Sequence, residues 1–187
     1  MNTYELDRED VILLLLDTSV RLLGSPTFKG ITRLEKLVFL LTKEGGNDVA
    51  GLFHFTPYKF GPFSKDVYEC TEFLRGLGLL DVSERSIESY YATAEEEELF
   101  REISDSDESA AVGAREKIFQ LTENGNKVAT RLRQIWSSER PQDLSKIEEI
   151  VTRYAGLPLN QIIRHVYGRY PAMATKSIHP EARKLSH

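Results

Sequence analysis

The chain has 187 residues, 41% hydrophobic and 28% charged with 24 Lys and Arg against 29 Asp and Glu, which fits one folded unit or one plus a small appendage and excludes a disordered chain. Its single cysteine, Cys70, excludes an internal disulfide and a multi-cysteine metal ribbon, as expected in a reducing compartment. The acidic opening MNTYELDRED is no secretory signal, and the longest apolar run, Val11 to Leu16, is too short for a bilayer, so a cytoplasmic protein without membrane contact is expected.

From Asp7 to Leu23, the residues Val11, Ile12, Leu15, Leu16, Val20 and Leu23 recur at spacings of three and four. This predicts a helix with one buried side, ended by Gly24, Ser25 and Pro26. After Gly30, the residues Ile31, Leu34, Leu37, Val38 and Leu41 form one face, and Phe39 and Leu40 widen it. This second helix is expected to be the central, most buried one, stopped by Gly45 and Gly46. The following FHFTPYKFGPFS predicts an extended segment entering a rigid turn at Gly61 and Pro62.

Ser64 is the expected N-cap of a third helix from Lys65 to about Gly76. Val67, Cys70, Thr71 and Leu74 fall on its inner side, and Lys65, Asp66, Glu69, Glu72 and Arg75 mainly on its outer side. GLGLLDV then begins a strand, and KIFQLT, Lys117 to Thr122, supplies a second, so that the two form a hairpin tipped by an acidic insertion. Within the insertion IESYYAT is a candidate strand and AEEEELFREIS a candidate short helix. Thr122 caps a helix through about Ser138, Pro141 breaks the chain, and further helices are expected over about 142–154 and 158–169. Ile147, Ile150, Val151 and Tyr154 give the first an apolar side, as Ile162, Ile163, Val166 and Tyr167 do the second, for packing on the body or for a homodimer contact.

Three helices, a hairpin and a helix make a winged helix, a helix-turn-helix variant that presents its third helix and uses the hairpin as the wing. The expected fold is therefore mainly α with a small β-hairpin: a winged-helix domain over 1–139 with an acidic wing insertion at about 84–116, then a helical extension and basic tail over 140–187.

RLEKLVFLL, then FTPYKFGPFS, then a helix ending in LRGLGLL resemble the prokaryotic YwgA-like proteins and the related Panacea domain of SocA-type antitoxins. The matching residues are Leu34, Lys36, Leu37, Phe39 and Leu40, then Phe60, Gly61, Pro62, Phe63 and Ser64, then Leu74, Leu77, Gly78 and Leu79. Near the end, Tyr167, Tyr170, Pro171 and Ser177 fit the same families, while the acidic stretch 84–116 departs from them. The resemblance covers about two-thirds of the chain. It implies a regulatory, antitoxin-like protein and motifs that serve the fold, namely Lys36, Tyr58, Phe60, Gly61, Pro62 and Ser64. On physical grounds Gly61 permits close backbone approach, Pro62 fixes a dihedral, and the Lys36 ammonium can bond carbonyls of the 57–62 turn.

No pattern of catalytic chemistry is present. His54, His165, His179 and His187 stand singly, without a second ligand at helical or hairpin spacing, and Cys70 on an apolar face is expected to be an inert buried thiol. No cofactor or metal is expected, and no enzyme activity.

Charge separates two functional readings. Residues 81–116 carry three basic and twelve acidic side chains, and 151–187 carry Arg153, Arg164, Arg169, Lys176, Arg183 and Lys184 against Glu181. A DNA-binding regulator would use Lys59, Ser64, Lys65 and Arg75, or a footprint of Arg153, Arg164 and Arg169. A protein-interaction module would present an acidic face, Asp66, Glu69 and Glu72 with Glu95, Glu96, Glu97 and Glu98, to a toxin or other basic partner. The acidic outer side of the third helix favours the second reading, because phosphate binding depends on basic residues that displace counterions.

Overall fold

The computed structural model describes residues 6–45, 47–86, 115–179 and 181–182. The acidic block Glu95 to Glu98 and the strand and short helix expected within the insertion lie outside the described residues. The protein is mainly helical with a small antiparallel sheet. No helix among the described residues is long and apolar enough to cross a membrane.

Helix α1 (Arg8–Leu23) is buried at every position from Val11 to Ser19, not along one stripe. Its last turn departs further from the pattern, since Leu22 and Leu23 are exposed. A short strand, β1 (Phe28–Lys29), leads into α2 (Ile31–Glu44), which is buried from Leu34 to Thr42 and is the central helix. A single turn, α3 (Asn47–Ala50), follows.

The Gly-Pro segment differs from expectation. Strands β2 (Thr56–Tyr58) and β3 (Gly61–Phe63) pair antiparallel, with Thr56 opposite Phe63 and Tyr58 opposite Gly61. The reversal therefore falls on Lys59 and Phe60, while Gly61 and Pro62 belong to a strand. Pro57 lies opposite Pro62, so the two residues without an N–H share one rung and no ladder donor is wasted.

Helix α4 (Lys65–Gly76) buries Val67, Cys70, Thr71 and Leu74 as its spacing predicts. Strands β4 (Leu80–Ser86) and β5 (Arg115–Leu121) form the expected hairpin, in register from Leu80 opposite Leu121 to Ser86 opposite Arg115. β1 adds to the other edge of β5, giving the order β1-β5-β4 and setting Phe28 opposite Phe119. Helix α5 (Glu123–Glu139) starts at Thr122, whose hydroxyl accepts the Gly125 N–H at 3.0 Å.

Helix α6 (Pro141–Ile150) runs on into a π-helical turn, Val151–Ala155. Helix α7 (Leu159–Arg169) is followed by a 3-10 turn, Pro171–Ala174. The apolar sides of α6 and α7 are occupied. Ile147, Val151, Ile162, Ile163 and Val166 are wholly enclosed, with Ile150, Tyr154 and Tyr167 nearly so, in the same hydrophobic cluster as α1 and α2. Those faces pack on the body, so the expected homodimer contact through them is not available.

Candidate functional site

The residues quoted for the resemblance converge on the β2–β3 hairpin. Consecutive Glu35 and Lys36 leave α2 within its buried stretch, 4% and 1% exposed. Lys36 Nζ donates to the Pro62 carbonyl at 2.8 Å, and the Ser64 N–H donates to Glu35 Oε1 at 3.1 Å. The two charges lie 3.9 Å apart, Nζ to Oε2. Burial disfavours both ionised forms. It pushes the Glu35 carboxyl up to about 7 despite the opposing pull of Lys36 and the Ser64 N–H. It draws the Lys36 ammonium down to about 8 against the pull of Glu35.

Ser64 holds the N-cap position of α4 but does not cap it. Its hydroxyl is fully enclosed and has no hydrogen-bond partner among the described residues, and Glu35 holds the residue through its backbone N–H. Both expected roles of the Ser64 side chain, cap and phosphate contact, are thereby corrected. Asp66 supplies the negative charge that favours the first turn of a helix.

From the opposite side α7 and the chain after it clamp the hairpin. Tyr167 lies against Gly61, where an added Cβ would sit 2.7 Å from Tyr167 Cε1. The Tyr167 hydroxyl bonds Ser177 Oγ, which donates to the Lys59 carbonyl at 3.0 Å, and the Ile178 N–H reaches the same carbonyl at 3.0 Å. Tyr170 packs edge-on against Phe39 of α2, ring centroids 5.1 Å apart. Lys59 and Phe60 are half-buried at the reversal.

The outer face of α4 is not the acidic surface its sequence predicts. Asp66 turns toward α1 and the preceding loop, accepting from Arg8 at 2.6 Å and from the His54 N–H at 2.8 Å. Partial burial alone would raise its pKa, but the His54 bonds and the Arg8 charge hold it below the ordinary value. Glu69 pairs with Lys65 at 2.7 Å, and Glu72 pairs with Arg75 at 2.7 Å and with Lys117 at 3.7 Å. The face is charge-matched. It also carries Phe73 and Leu77, 54% and 57% exposed and one helical turn apart. Beside the start of α4, Tyr58 is 49% exposed, its ring 5.2 Å from that of Phe63, which in turn lies 5.6 Å from Tyr68.

The three C-terminal arginines do not share one footprint. Arg153 and Arg169 meet at Glu44, at 3.5 and 4.0 Å, with His165 at 3.8 Å from the same carboxylate. Arg164 instead places two nitrogens on Glu181, at 3.0 and 3.1 Å. Cys70 is buried with its Sγ 3.4 Å from Glu9, and burial pushes its thiol up to about 12, which suppresses the nucleophilic thiolate. Among the described residues no group of three or more His, Cys, Asp or Glu is placed to hold a metal ion.

Sequence reasoning missed Glu35. The signal was an acid beside Lys36 within the most apolar helix, where a surface explanation fits neither charge. In comparison with known proteins, the chain matches no family model and no curated protein.

Proposed function

We propose that this chain is a non-enzymatic prokaryotic regulatory module of winged-helix type, antitoxin-like or adaptor-like, that acts by binding another protein. The order α1, β1, α2, α4, β4, β5 supports the winged-helix part, with α4 as the presented helix and β4–β5 as the wing. β1, between the first two long helices, lies beside β5 and completes the sheet behind the wing. The antitoxin-like part rests on the resemblance carried by Lys36, residues 60–64 and the Tyr167 to Ser177 segment.

The exposed Phe73 and Leu77 on the presented helix carry the partner-binding reading. Apolar groups among matched charges suit the desolvated centre of a protein interface. They suit a phosphate groove poorly, because Lys65 and Arg75 already hold Glu69 and Glu72 and have little charge left to displace counterions. A basic partner remains the natural complement of the excess acid in 81–116.

The test compares two double variants of the full chain. F73D/L77D should keep the wild-type thermal transition and lose a partner that co-purifies with wild type, whereas K65E/R75E should retain it. DNA retardation that falls steeply with salt and falls further in K65E/R75E would reverse the ranking in favour of a DNA-binding regulator.

A further inference from the structure

The β2–β3 hairpin is held at both ends. At the reversal, Ser177 Oγ and the Ile178 N–H both donate to the Lys59 carbonyl. Where β3 enters α4, Lys36 Nζ donates to the Pro62 carbonyl and Glu35 Oε1 accepts the Ser64 N–H. Both side chains of this second hold are buried, yet Nζ and Oε2 stand 3.9 Å apart, beyond hydrogen-bond distance. Each directs its hydrogen bond to the backbone, so no direct bond between the two charges offsets the cost of taking both out of water. The neighbouring elements add no charge to match them. β3, with the sequence GPF, has no titratable side chain, α4 presents the phenol of Tyr68, and Tyr58 of β2 lies beyond it.

We propose that the junction of β3 with α4 is a proton-linked catch, which opens most readily when Glu35 and Lys36 are both ionised and closes when either becomes neutral. Burial raises Glu35 from 4.5 to about 7, so its contribution to closure is complete below 4.5 and is lost as pH rises through about 7. Burial lowers Lys36 from 10.5 to about 8, so its contribution is complete above 10.5 and is lost as pH falls through about 8. Closure is therefore weakest between about 7 and about 8 and strengthens on either side. The opening is local, because the Lys59 carbonyl stays held at the reversal and Asp66 stays tied to Arg8 and His54. What it frees is the segment 62–64 with Phe63, whose ring joins exposed Tyr58 to Tyr68 beside the start of α4. The catch thus regulates the aromatic surface next to the presented helix. It rests on the partner-binding reading for that consequence alone, and its test needs no partner, so the two can fail separately.

The test follows the Ser64 amide by hydrogen exchange in the full chain, as protection relative to the intrinsic rate at about pH 5.5, about pH 7.5 and about pH 9.5. The Leu40 amide, in the buried middle of α2, reports global unfolding. Ser64 should be less protected than Leu40 at every pH, and its own protection should be about tenfold or more lower at the middle pH than at either extreme. E35Q, which keeps an acceptor for the Ser64 N–H, should abolish the fall between the two lower pH values. K36M should abolish the recovery between the two upper ones. Should a variant fail to fold, the wild-type profile still decides. Ser64 protection that is flat across the three pH values, that equals that of Leu40, or that keeps its fall in a folded E35Q would overturn the proposal.

Discussion

Glu35 and Lys36 place an ion pair where an apolar protein would put leucine, and the reason is the hairpin they hold. Pro62 has a carbonyl to satisfy inside the core, Ser64 has an N–H, and one side chain of each sign serves both. The arrangement has a signature in pH. The Glu35 carboxyl rises from 4.5 to about 7 on folding, so the folded state holds its proton more tightly than the unfolded chain. Stability is then greatest below the unfolded value and falls as pH climbs through the folded one. E35Q keeps the acceptor for Ser64 and removes the titration. Its stability relative to wild type should rise as pH climbs from 4 to 8. Urea unfolding at those two pH values checks this, and parallel profiles for the two proteins would refute it. Lys36 was legible from sequence as a latch on this turn, since a lysine on the most apolar helix needs an acceptor within reach. The fit of Tyr167 to Gly61 was not, because nothing local to either residue specifies a neighbour more than a hundred positions away.

At the scale of elements, long helices and the β4–β5 hairpin were readable because apolar spacing repeats over several turns or rungs. β1 was not. Two residues carry no period, and Phe28 becomes strand only because β5 offers it an edge. The reversal at Lys59 and Phe60 was missed for a related reason: Gly61 and Pro62 are turn-forming residues that serve here in a strand. Gly61 has φ +89°, a conformation costly for any residue with a Cβ, and Tyr167 fills the space where that atom would go. G61A should therefore destabilise the protein by about 2–4 kcal/mol, combining left-handed strain with overpacking. Adding Y167L should recover the packing share and leave the strain. A double-mutant cycle by chemical denaturation measures that recovery, and strict additivity would show that Tyr167 is not what excludes the Cβ.

For the whole molecule, the acidic character expected of α4 dissolves because charge balance depends on neighbours from other elements. Arg8 comes from α1 and Lys117 from β5, and neither could be assigned to α4 by helical spacing. The same interdependence governs the core. Reading 140–187 as an extension suggests that 1–139 would stand without it, yet Ile147, Ile150, Val151, Ile162, Ile163, Val166 and Tyr167 are all buried in the common cluster. Seven such side chains contribute on the order of 10–20 kcal/mol of burial, at about 1.5–3 kcal/mol each. That equals or exceeds the roughly 5–15 kcal/mol by which a folded domain is usually stable. Truncation would also uncover the central helix α2, which α6 and α7 pack against, and would release the hairpin from Tyr167 and Ser177. A 1–139 fragment should therefore lack a cooperative urea transition and bind a hydrophobic dye, while the full chain unfolds in one step. A sharp transition in the fragment, at a midpoint near that of the full chain, would mean that α1, α2 and α4 close a core of their own.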